Sequence, residues 1–254
     1  MIEIDPISLL VTADTDLSVA ALEDKVGAEG YTLNYFALPD NRALLAEALS
    51  RRLPNLYAAA FGGIEDLCLQ LKLAQAGGAL YANVKTPRSA AGPGLKKMAI
   101  GSGEWLGLPI QATLRIFPKP AHRECRAYAF AQERDLEAFE KSLLKLRWPL
   151  PLRARLASEE AMQVLEGMSL LDRAAAFSWW GPEGWMRSYG EALEDLALGK
   201  QGRALGFKSG RDEADLDALL RRAAIAQAEE RSERRRQELP ESHRALASFL
   251  KEGA

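Results

Sequence analysis

The sequence predicts an α+β protein, and three observations lead there. Strand-like apolar runs alternate with segments of helical spacing from Ile7 to Gly199. Small residues cluster twice between Lys85 and Pro120, first at Ala90, Ala91, Gly92 and Gly94, then at Gly101, Ser102, Gly103 and Gly107. Glycine stands where backbone must turn sharply or come within contact distance of something else. From about Asp212 the chain becomes strongly helical and charged.

Ile7 to Ala13, rich in branched apolar residues, is expected as the first strand. Asp16 and Ser18 are placed to cap a helix over Val19 to Ala28, with Gly30 as its stop. Tyr31 to Leu38 reads as extended. Pro39-Asp40-Asn41 signals a turn, followed by a helix over Arg42 to Arg52. Leu67 to Ala74 alternates as a strand, turns at Gly77-Gly78, and pairs with Leu80 to Val84 as a hairpin. A short helix is expected within Ala91 to Ile100, and a strand over Leu108 to Phe117.

A second pattern starts after Pro120. Glu124 to Ala131 alternates as a strand. Arg134 to Lys145 carries Leu136, Phe139, Leu143 and Leu144 at helical spacing. Leu152 to Ala157 is a strand, and Ser158 is placed to cap a helix over Glu159 to Gly167. Ala174 to Trp180 is a strand and Trp185 to Gly199 a helix. This order suits a small sheet with helices on one face. In the last stretch Glu229 to Glu238 mixes both charge signs at three- and four-residue offsets. That is the pattern of a solvated, ion-paired helix, which Pro240 then breaks.

The chain has 254 residues, 48% hydrophobic and 27% charged, enough for a sizeable core and one or two domains. With 33 basic and 35 acidic residues the net charge is −2, so no global field favours nucleic acid or anionic membrane. Cys68 and Cys125 are far apart, as are His122 and His243, and neither pair has metal-ligand spacing. The N-terminal residues lack a secretion signature, and no apolar run reaches the ~20 residues of a membrane span. A reducing cytoplasm is the expected location.

Ala91, Gly92, Leu95, Gly101, Ser102, Leu106, Gly107, Ala112, Thr113, Leu114, Arg115, Pro118 and Pro120 keep one spacing. The pattern is A-G-x-D-L-x-x-L-x-x-G-S-E-G-T-L-G-I-I-T-x-A-T-L-R-x-x-P-x-P. In it the chain resembles FAD-linked oxidases of the vanillyl-alcohol-oxidase and p-cresol-methylhydroxylase (PCMH) type, glycolate oxidase and D-lactate dehydrogenase subunits among them. The resemblance implies a division into three. Residues 1–120 would be the second lobe of a PCMH-type FAD-binding domain. Residues 121–210 would be a small α+β, ferredoxin-like, substrate-side domain, and 211–254 a charged helical tail.

The same resemblance implies FAD as cofactor and a small 2-hydroxy acid, glycolate or lactate, as substrate. Gly92, Gly101, Ser102, Gly103 and Gly107 would supply backbone contacts to the cofactor. Lys85 and Arg88 flank the A-A-G turn and can meet an anion. The departures from the pattern also have consequences. The glycine-rich P-x-G-x-G-T-type loop of the first lobe has no counterpart here, which implies that the chain starts midway through the flavin domain. Glu104 and Trp105 stand where the pattern has glycine and threonine. A carboxylate ~4 Å from a phosphate charge at an effective dielectric of ~20 costs on the order of 4 kcal/mol, roughly a thousandfold in affinity.

Two functions are therefore expected alternatives. One is a subunit or relative of an FAD-linked 2-hydroxyacid oxidase or dehydrogenase with a weakened flavin site. The other is a diverged, non-catalytic relative that binds a partner subunit. Either way, a homo-oligomer or partner subunit is expected over the face left by the first lobe. His122 has no visible acid–base partner and reads as a linker residue. Trp179-Trp180 reads as a core or interface pair, or as a substrate-facing one. Cys68 reads as an inert buried thiol.

Overall fold

The computed structural model describes residues 1–85, 94–146, 150–181 and 183–238. Ile2–Asp5 (β1) and Leu10–Asp14 (β2) form an antiparallel hairpin. The single strand expected over Ile7 to Ala13 is thus corrected. Ile7 to Leu9 form its turn, where the Asp5 carboxylate accepts the N–H of Ile7 and of Ser8, each at 3.0 Å. Helix Val19–Ala28 (α1) runs as expected, with the Ser18 hydroxyl accepting from the Ala21 N–H. Of the extended segment after it, only Tyr31–Thr32 (β3) pairs as a strand. Leu33, Phe36 and Ala37 donate instead to the side chains of Glu23, Asn55 and Asn41.

Helix Leu45–Ser50 (α2) is shorter than expected. The carbonyls of Asn41 and Ala43 accept the first-turn N–H groups of α1, from Ala20 and Val19, at 2.9 Å each. Those N–H groups have no partner within their own helix, so residues 41–44 serve α1 rather than extend α2. Two single-turn helices follow, Ala58–Phe61 (α3) and Ile64–Leu67 (α4). Cys68–Ala74 (β4) and Leu80–Ala82 (β5) form the expected hairpin. Leu95–Ala99 (α5) leads to Leu108–Arg115 (β6) and Phe117–Pro118 (β7), the last pairing with β3.

The first sheet has the order β1-β2-β6-β4-β5, antiparallel throughout. Val11, Ala13, Leu71, Ala112 and Leu114 face a core completed by Val19, Leu22 and Val26 of α1 and by Leu45, Ala48 and Leu49 of α2. The alternate residues are polar. Thr12 and Thr113 share a hydrogen bond of 2.9 Å, and Gln111 donates to Asp14. Gln70 lies opposite Thr113, and Lys72 opposite Gln111. The face turned away from the helices is therefore hydrophilic, as period-two alternation dictates.

The second sheet is built from Arg123–Phe130 (β8), Leu152–Leu156 (β9), Arg173–Trp180 (β11) and Arg203–Ala204 (β12), ordered β12-β8-β11-β9. Between and after these lie Glu133–Leu146 (α6), Ser158–Val164 (α7), Leu165–Glu166 (β10), Glu183–Leu198 (α8), Gly206–Phe207 (β13) and Glu213–Glu238 (α9). Strands β10 and β13 pair with each other. Ala157, not Ser158, precedes the first turn of α7, and the Ser158 hydroxyl donates to the Asp172 carbonyl at 2.9 Å.

Helices cover both faces of this sheet, where the sequence suggested one. Phe139 and Leu143 of α6 and Leu193 of α8 pack with Tyr128, Phe130 and Phe177 on one side. Leu216, Leu219, Leu220 and Ala224 of α9 pack with Ala127, Leu152, Ala154 and Ala176 on the other. Only the later part of α9, with its Arg234–Glu230 pair, has the solvated character read from its charges. Strand β9 lies at the sheet edge, and its free side is occupied by a side chain. The Gln227 amide of α9 donates to the Arg155 carbonyl at 2.7 Å and accepts from the Arg155 N–H at 3.4 Å. No described helix is long and apolar enough to cross a membrane.

If α9 is core, Leu219→Ala costs about 2–5 kcal/mol, the scale for a buried leucine. Glu229→Ala, on the exposed part, stays within about 0.5 kcal/mol of the parent. Urea unfolding midpoints check this, and equal midpoints for the two variants would show α9 to be detached from the core.

Candidate functional site

The loop between α5 and β6 bends as the glycines demand. Gly101, Gly103 and Gly107 have φ of 87°, 61° and 127°. A Cβ on Gly107 would sit 2.8 Å from the Ala74 carbonyl oxygen. Glu104 also has positive φ, 73°, a conformation in which glycine is the ordinary occupant. The resembled pattern carries glycine there.

The N–H groups of Gly101, Ser102, Gly103 and Gly107 are donated within the protein. Gly101 donates to the Leu49 carbonyl and Gly103 to the Ser50 carbonyl, both at 2.9 Å. Ser102 donates to Ala99 at 3.1 Å and Gly107 to Glu104 at 2.9 Å. A phosphate cradle needs such donors aimed outward, so these four residues do not fit the pyrophosphate of FAD. Lys85 is exposed, and its charge helps hold the Asp5 carboxyl below its usual range, after hydrogen bonds from Ser8. Gly92 and Arg88 lie outside the described residues.

A different constellation forms where the two sheets meet. Asp217 of α9 accepts from Arg123 at 2.9 Å and from Arg221, one helical turn on, at 2.7 Å. Arg221 also donates to the Tyr57 hydroxyl. The Arg123 guanidinium lies 4.1 Å from the centre of the Trp180 ring, and Tyr57 meets that ring edge-on at 5.2 Å. Trp180 in turn donates to the Asn34 side chain at 3.2 Å. Asn34 takes φ of 48°, a left-handed conformation asparagine tolerates. Asn55 fixes the segment below it, accepting from Phe36 and Tyr57 and donating to the carbonyls of Asn34 and Gly62.

Beside this network opens a cleft of about 230 Å³. Phe61 of α3, Pro151, Trp180, Trp185, Met186 and Tyr189 line it, and no charged side chain is among its described lining residues. Phe61 stacks on Trp180 at 6.0 Å. Trp179, its neighbour in sequence, is buried and donates to the Met186 carbonyl. Both rings border the cleft, Trp179 from the buried core and Trp180 half-buried.

Electrostatics confine what this region can do. Burial tends to raise the Asp217 carboxyl, but the hydrogen bond from Arg221 and the charges of Arg123 and Arg221 outweigh it and hold the group below its usual range. Burial raises the Tyr57 phenol, which is neutral at physiological pH. Burial also pushes the thiols of Cys68 and Cys125 up to about 12, so neither supplies a thiolate. His122 is exposed, and no described carboxylate pairs with it. No group of three or more potential metal ligands occurs among the described residues. The cleft is lined mainly by apolar side chains, and none of its described lining residues carries a charge.

Sequence reasoning missed Tyr57, Phe61, Arg123, Asp217 and Arg221. Only the Asp217/Arg221 offset of four carries a local signal. The rest converge from distant segments.

No family model matches the chain. Alkyldihydroxyacetonephosphate synthase of Caenorhabditis elegans is 25% identical over 178 residues, 70% of this chain and 29% of that protein. The FAD-linked oxidoreductase YgcU of Escherichia coli is 26% identical over 117 residues, 46% of this chain and 24% of its own. A solved structure of alkyldihydroxyacetonephosphate synthase superposes with a TM-score of 0.70 at 14% identity, covering 82% of this chain and 41% of the other. The chain thus spans under a third of the length of the curated relatives it matches. It is related to FAD-linked oxidoreductases and has a mixed α/β fold matching alkyldihydroxyacetonephosphate synthase.

Removing the central charge should be expensive. Asp217→Asn leaves two guanidinium groups without their counter-charge and costs about 3 kcal/mol at pH 7. A depressed carboxyl stabilises above its unfolded value of about 3.9 and loses that contribution as pH falls through the folded value. Thermal unfolding from pH 7 to pH 2 therefore shows the gap between parent and variant steady down to about pH 4 and closing below it. A gap that is absent at pH 7 would contradict the assigned role.

Proposed function

We propose that this chain, as a relative of FAD-linked oxidoreductases, forms the substrate-side wall of an enzyme of that kind, and that its substrate is a 2-hydroxy acid bearing an aromatic or branched apolar group. The observation that carries the reading is the cleft beside Trp180, at the seam between the flavin-type sheet and the second sheet. A cavity of ~150 Å³ with an apolar lining accepts benzene, so about 230 Å³ suits a ring with a short substituent. Glycolate and lactate, the substrates implied by the resemblance, have little apolar surface to bury there. Arg123 lies 4.1 Å from the ring centre of Trp180, which lines the cleft, and Asp217 engages both Arg123 and Arg221.

Hydride acceptance, the chemistry implied by the resemblance, belongs to the flavin, and the protein supplies binding and orientation. In the loop at Gly101 to Gly107, four amides donate to carbonyls of the protein itself. Retention of a flavin therefore falls to groups other than these four amides. What this chain contributes is an apolar surface that excludes water from one side of the substrate, with Trp180 held in place by Tyr57, Arg123 and Asn34.

Tryptophan fluorescence titrations with phenyllactate and glycolate test the substrate class. Phenyllactate is expected to bind at least tenfold more tightly, since burying one ring is worth more than the ~1.4 kcal/mol that a factor of ten requires. Trp185→Ala should remove most of that preference. Titration with FAD, read by a shift of the flavin absorbance bands, tests the oxidoreductase reading separately. No shift up to about 1 mM, combined with no phenyllactate binding, would end the proposal.

A further inference from the structure

A group of exposed apolar side chains lies at the end of the first sheet, around the glycine loop. Trp105 is 85% exposed, Leu80 62% and Met98 58%, with Leu95, Leu106 and Leu108 also open to solvent. Register places them together. Leu80 and Leu108 flank Ala74 from the two neighbouring strands, and the loop carrying Trp105 and Leu106 runs directly into Leu108. The α5 helix, with Leu95 and Met98, enters the same loop, and Ser102 donates back to Ala99.

This surface is held rigid. The two bonds to the Leu49 and Ser50 carbonyls and the close fit of Gly107 under Ala74 fix the loop that presents Trp105. A tryptophan shown to water on a preorganised loop pays little ordering cost on association and is a frequent interface anchor. Trp105 alone offers roughly 200 Å² of contact area, a substantial part of the ~800 Å² per partner of an ordinary interface. Patches of this kind are uncommon on monomers.

The charges around Trp105 indicate which partner fits. Glu104 precedes it, and Lys97 lies on the adjoining α5. Both are exposed, and neither has an ion-pair partner among the described residues. A two-fold axis passing between these residues would bring Glu104 of one chain to Lys97 of the other, and the reverse, and would make the surface complementary to itself. We propose that this face binds a second copy of the chain, with Trp105 as anchor and the Glu104–Lys97 pairs fixing the orientation. The proposal does not depend on the flavin reading.

Sedimentation equilibrium of the full chain from about 1 to 100 μM is expected to give a mass twice that of one chain, typical of a micromolar or tighter complex. Trp105→Glu should raise the dissociation constant about thirtyfold or more. Glu104→Lys alone and Lys97→Glu alone should each weaken the dimer by several-fold, and the double variant should recover it. Circular dichroism and unfolding midpoints confirm that each variant is folded. A monomer across the whole range, a dimer indifferent to Trp105→Glu, or a double variant no better than the single ones would overturn the proposal. Failure of rescue with loss on Trp105→Glu would point to an apolar contact with another geometry, and so also against the symmetric arrangement proposed.

Discussion

Asp217 is the charge on which the arrangement of the two sheets turns. It is one carboxylate between two guanidinium groups, placed on the helix that covers one face of the second sheet. Through Arg123 it reaches the start of β8 and the Trp180 ring, and through Arg221 it reaches Tyr57 of the first part of the chain. The apolar contacts alone are non-directional. The carboxylate and its two arginines supply direction, so that Trp180 meets Tyr57 edge-on and leaves its other surroundings to form the cleft. The position of α9 and the shape of the cleft are thus coupled through one side chain.

The glycine loop keeps its bend while four of its amide donors serve the fold itself. The bend is retained, down to a positive φ at Glu104, where glycine costs less. Its amides, however, turn inward to the carbonyls at the end of α2. What the loop offers outward is an indole and a carboxylate. Backbone donors suit a phosphate, whereas a rigid indole suits another protein surface. Trp105 supplies the apolar prominence, and Glu104 sets a negative charge beside it.

Much of the architecture was legible in the sequence because it is local. The Ser18 cap and the β4–β5 hairpin at Gly77-Gly78 are each set by neighbouring residues, and they stand where spacing places them. The β1–β2 hairpin was not read, because its turn is made by Ile7, Ser8 and Leu9 rather than by glycine or proline. Its bend comes from the Asp5 carboxylate, whose role is invisible to apolar periodicity. Helix α2 was read too long because residues 41–44 are claimed by α1, a tertiary demand with no local trace. In α9 the charge pattern of Glu229 to Glu238 marks a solvated segment, but nothing local shows that Leu216, Leu219, Leu220 and Ala224 ahead of it are core. The junction was the least legible of all. Tyr57, Arg123, Trp180 and Asp217 come from four separate segments, and only folding brings them together.

Gln227 has a consequence that reaches past the single chain. By giving and taking one hydrogen bond at Arg155, its amide imitates the next strand and occupies the lateral template that β9 would otherwise present. An unoccupied template of this kind recruits further chains into extended ribbons. Protection of this border is therefore entrusted partly to a helix: wherever α9 lifts away, the border is uncovered along with the hydrophobic stripe beneath it.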